Sequence, residues 1–107
     1  MTRIGYFEGS DARNNVFSFL ERNLEASPER EVLRWVDAAD RAAWDGTSAL
    51  PHRSIRMRDF VPLARRIAAG LAQQGIAAGD RVILFVPMSV ALYSTLSALQ
   101  LLGAIPC

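Results

Sequence analysis

The chain has 107 residues, one domain's worth, with 50% hydrophobic residues and only 21% charged. It is long enough for a moderate core and too apolar to be disordered in bulk. Twelve basic residues against eleven acidic ones leave a net charge of +1, which gives nucleic acid no basic surface to read. All the basic residues are Arg, so Schiff-base lysine chemistry and a phosphate-binding P-loop lysine are both excluded. A single Cys and a single His supply neither a disulfide framework nor a zinc site of the usual spacing. Residues 1–10 lack the apolar core of a signal sequence, and the longest apolar stretch is broken by Ser89, Ser94, Ser97 and Gln100. The expected compartment is the cytoplasm.

Residues 1–14 read as a polar amino-terminal arm, and 15–107 as a partial α/β subdomain. Asn14 or Asn15 is placed to cap a helix carrying Val16, Phe17, Phe19, Leu20 and Leu24. Ser27-Pro28 ends it, because proline disfavours helix at the residue before it. Residues 31–36 are rich in β-formers and predict a strand. The polar stretch 37–53 is longer than an ordinary connection. It fits either an excursion with a short helix over 38–44 or a hairpin, with a brief returning strand at 54–56.

The clearest helical pattern covers 57–74. Phe60, Leu63, Ala64, Ile67, Ala68 and Leu71 recur at spacings of three and four. Pro62 belongs in a first turn, so the start is expected nearer Asp59 than Met57. Gly75 suits the position after the helix. Ala78-Gly79-Asp80 is a turn, and the continuous apolar run over 81–86 predicts a strand buried on both faces, as in a parallel sheet. Ser89 is placed to cap a helix running to Leu102 that is apolar around much of its circumference. Gly103 closes that helix, and 104–107 begins another strand. The fold class is therefore α/β, with helices packed on a mostly parallel sheet. A chain that finishes by opening a hydrophobic strand is expected to be the amino-terminal piece of a larger enzyme.

No local motif carries chemistry. The glycines at 75 and 79 precede a strand, the reverse of a dinucleotide fingerprint. Ser89 lacks the flanking glycines of a nucleophile elbow and reads as a helix cap. His52 has no partner at a meaningful spacing and reads as an exposed loop residue. Cys107, on a terminal strand, reads as a buried apolar group. Asp37, Asp40 and Asp45 lack the glycine and terminal Glu of a calcium loop. Arg53, Arg56, Arg58, Arg65 and Arg66 make a basic cluster whose field nearby acidic residues largely cancel. The expectation is no catalytic, cofactor-binding or metal-binding residue in these 107 positions. Met88 and Ser89 are weak candidates for a pocket edge, since α/β sheets bind ligands at the carboxyl ends of their strands.

In order and spacing, the stretch from Asn15 to Cys107 resembles the amino-terminal end of the adenylate-forming ligases, the acyl-CoA synthetases and fatty acyl-AMP ligases among them. The resemblance rests on Phe19-Leu20, Ser27-Pro28, Glu31-Val32-Leu33, Met57-Arg58-Asp59-Phe60, the helix from Ala64 to Leu71 before Gly75, the Gly79-Asp80-Arg81-Val82 turn and strand, Pro87, and Gly103-Ala104. Met57 and Asp59 stand where an aromatic residue and Glu are commoner, and Met88 where Asn often follows the proline. The loop over 37–53 resembles an elaboration of fatty-acyl-activating members. The resemblance implies a parent that uses ATP and magnesium to convert a carboxylic, fatty acid into an acyl-adenylate. It then passes the acyl group to coenzyme A or another acceptor. It also implies that this piece alone is inactive, and that its partner is the remainder of the ligase. An exposed sheet edge adds self-association as an expectation. The alternative is a stand-alone α/β protein-interaction module without catalytic activity.

Overall fold

The computed structural model describes residues 16–107; the arm over 1–14 and the Asn14 or Asn15 cap lie outside the described residues. The elements run α1 (Phe17–Ala26), β1 (Glu31–Trp35), α2 (Ala38–Ala43), β2 (Arg53–Arg56), α3 (Met57–Gln73), β3 (Arg81–Val82), α4 (Val90–Leu102) and β4 (Ile105–Pro106). The α/β class is thus present, with its strands in two short ladders. β1 and β2 pair antiparallel, with Leu33 opposite Ile55 and Trp35 opposite Arg53. β3 and β4 pair parallel, Arg81 beside Ile105 and Val82 beside Pro106. The connection over 37–53 combines the two readings: it is an excursion that contains a short helix, α2, and its two flanking strands pair antiparallel as in a hairpin.

The core forms where α1, α3 and α4 meet. Phe17, Val61, Ala64, Ala68, Ala98 and Leu99 have no exposed surface, and Met57, Leu101, Leu102 and Ala104 complete the cluster. Ala64, Ala68 and Ala98 are the small residues of this cluster, and small side chains let two helices approach closely. Ser94 is the one buried polar residue among those described; its Oγ donates to the carbonyls of Val90 at 2.7 Å and Ala91 at 3.2 Å within α4.

α3 begins at Met57, two residues before the expected start, and Pro62 is its sixth residue. The reason lies in the turn after α1. The Met57 amide donates to the Arg30 carbonyl at 2.9 Å and the Arg58 amide to the Pro28 carbonyl at 3.0 Å. These bonds satisfy first-turn donors that a helix otherwise leaves free. The helix can therefore start early and absorb the bond that Pro62 cannot make to the Arg58 carbonyl.

The apolar run over 81–86 departs from its expected burial on both faces. Val82 and Leu84 pack on the core, whereas Ile83 is 81% and Phe85 98% exposed. The ladder continues past the assigned strand: Cys107 donates to Val82 at 2.8 Å and Leu84 donates to Cys107 at 2.9 Å. Strand alternation sends Val82 and Leu84 inward and Arg81, Ile83 and Phe85 outward. Among the described residues nothing covers that outer face.

Candidate functional site

The turn after this strand carries Pro87-Met88-Ser89 to the start of α4. Ser89 caps the helix as its sequence predicts: its Oγ accepts from the Leu92 amide at 3.2 Å and donates to the Pro87 carbonyl at 2.9 Å. Its proton and one of its lone pairs go to the main chain, so the hydroxyl positions the turn. Met88 is 80% exposed.

Met88 and Ser89 border a cleft of about 310 Å³, lined further by Leu33, Arg34 and Trp35 of β1 and by Val90 and Tyr93 of α4. The two candidates are thus at a pocket edge. The β1 residues and Tyr93 were not legible as lining, because only tertiary packing brings them to the cleft. The Arg34 guanidinium in this wall is held by the Glu31 carboxylate. That bond is the main reason the Glu31 carboxyl lies below its ordinary range.

A smaller hollow, about 180 Å³, lies in the 37–53 loop between Asp40, Ala43, Trp44, Asp45, Ser48 and Pro51. Asp45 Oδ1 accepts from the Ser48 amide at 2.9 Å, the Thr47 amide at 2.8 Å and the Ser48 hydroxyl at 2.9 Å. Those donors, the Ser48 amide first, pull its carboxyl down to about 2. The Trp44 indole donates to the Ser48 carbonyl at 2.8 Å and closes the loop. Asp37 and Asp40 instead share the Arg53 guanidinium, at 3.3 and 3.2 Å. The three aspartates are therefore divided between two jobs, and among the described residues no three of His, Cys, Asp and Glu converge to hold a metal ion.

Four members of the basic cluster are paired, Arg53 as above. Arg56 and Arg58 both reach Glu29, at 3.0 and 2.6 Å, and Arg65 meets Glu21 at 3.4 Å. His52 is exposed in its loop. Cys107 is exposed, against the expectation of a buried thiol. It lies beside β3 on the ladder, on the same uncovered face as Ile83 and Phe85, and strand alternation gives the inward positions to Ala104 and Pro106.

The helix-strand-helix arrangement and the Gly79-Asp80-Arg81-Val82 turn define a partial α/β unit of the kind found in carboxylate-activating ligases. No family model matches the chain. It is 32% identical over 105 residues to the pyochelin synthase PchD of Pseudomonas aeruginosa, covering 90% of this chain and 18% of that protein. It is 29% identical over 86 residues to an acetyl-coenzyme A synthetase of Magnetococcus marinus, covering 79% of this chain and 12% of that one. Among solved structures, a Mycobacterium tuberculosis fatty acyl CoA synthetase superposes with a TM-score of 0.70 at 27% identity, over 91% of this chain and 17% of that one. The N-terminal subdomain structure of Klebsiella oxytoca NpsA superposes with a TM-score of 0.67 over 86% of this chain and 20% of that one; at 22% identity it speaks to the fold alone. Sequence and fold agree: the chain is similar, over most of its length, to one segment of the adenylate-forming ligases, resembling the fatty acyl-CoA synthetases and fatty acyl-AMP ligases. It spans less than a fifth of the length of either curated relative.

Proposed function

We propose that the chain is the amino-terminal structural segment of an ATP-dependent, acid-activating ligase. The observation that carries this reading is the agreement between 29% identity to an acetyl-coenzyme A synthetase over 79% of the chain and a TM-score of 0.70 to a fatty acyl CoA synthetase over 91% of it. In the whole enzyme, magnesium and ATP convert a carboxylic acid to an acyl-adenylate, and coenzyme A or another thiol takes the acyl group. The acid is a fatty acid on the likeness to the Mycobacterium tuberculosis protein; the likeness to a pyochelin synthase makes a different carboxylate the competing reading. The enzyme works in the cytoplasm. Among the described residues no helix is long and apolar enough to cross a membrane.

The segment contributes no catalytic group of its own. Among the described residues Glu29, Asp37 and Asp40 are paired with arginines, Asp45 and Asp80 are bonded within their own loops, and Ser89 caps a helix, whereas an adenylation site needs convergent carboxylates and oriented donors. What it offers is a wall. The cleft at Met88 and Ser89 and the bare face at Ile83, Phe85 and Ile105 are where the remainder of the ligase packs. The test replaces the matching segment of the Pseudomonas relative with residues 16–107 and measures carboxylate-dependent ATP–pyrophosphate exchange with fatty and aryl acids. Exchange well above an empty-vector background supports the reading, and the preferred acid decides the substrate class. A folded chimera without exchange for any acid overturns it.

A further inference from the structure

We draw no further inference here: the strongest candidate, the cleft between β1 and the start of α4 with Arg34, Trp35, Met88 and Tyr93 on its walls, belongs to the face on which the remainder of the ligase is already proposed to pack, and among the described residues nothing shows what covers it.

Discussion

The Gly79 amide donates to the Gly103 carbonyl at 2.9 Å, joining the turn before β3 to the end of α4. Both residues have positive φ, 85° and 73°. This bond lies at the start of the parallel ladder, and β3 and β4 each begin two residues beyond it. Side chains other than glycine resist that backbone region by roughly 1–2 kcal/mol. Gly103→Val is expected to destabilise the chain by about 2 kcal/mol and Gly79→Ala by about 1 kcal/mol. Space at Gly79 is open, so its cost is one of backbone alone. Urea unfolding of both variants checks the order.

The helical core gives a second expectation. Leu99 is fully buried, and its replacement by Ala should cost about 2–5 kcal/mol through lost burial and a cavity. Ala68 is equally buried but small, and Ala68→Leu should cost about 1–3 kcal/mol by overpacking. If Ala68→Leu is neutral, the core around α3 is looser than described. Thermal and urea unfolding measure both.

Helix positions and most strand positions were readable from the chain because their signals are local. The spacing of Phe60, Ala64, Ala68 and Leu71, the cap at Ser89 and the stop at Gly103 each act within one turn of the helix. The start of α3 was not readable, since it depends on carbonyls of Pro28 and Arg30, nearly thirty residues away in sequence. The exposure of Ile83 and Phe85 was hidden for a different reason. A continuous apolar run states what the strand prefers to bury, and the available neighbours decide whether it is buried. The same applies to Cys107. Met88 and Ser89 were placed at a pocket edge by strand polarity alone, while Trp35 and Tyr93 entered the cleft only through tertiary packing.

Acid should loosen the 37–53 loop before it unfolds the core. The Asp45 carboxyl is held near 2, below its ordinary 3.8. A depressed carboxyl stabilises the fold at pH above the ordinary value, and that contribution is lost as pH falls from about 3.8 toward about 2. Because Trp44 is bonded to Ser48 in the same loop, its fluorescence should change over this window. Asp45→Ala should show the acid-form spectrum at neutral pH. A Trp44 signal that moves only with global unfolding would contradict the linkage.

The ion pairs of Arg53 with Asp37 and Asp40 are half exposed, so they should matter little to global stability. Arg53→Ala is expected to cost under about 1 kcal/mol, less still at high salt. Its effect should appear as faster amide exchange in α2 and β2, while α3 and α4 are unchanged.

The most direct test of the account is complementation in trans. The Pseudomonas relative lacking its matching segment is mixed with the purified 107-residue chain, and ATP–pyrophosphate exchange is followed as the chain is titrated. The account predicts no exchange from either piece alone and a saturable rise when they are combined, reduced by a charge at Phe85 on the bare face. Exchange by the 107-residue chain alone, or none from two folded pieces at saturating concentrations, would contradict it.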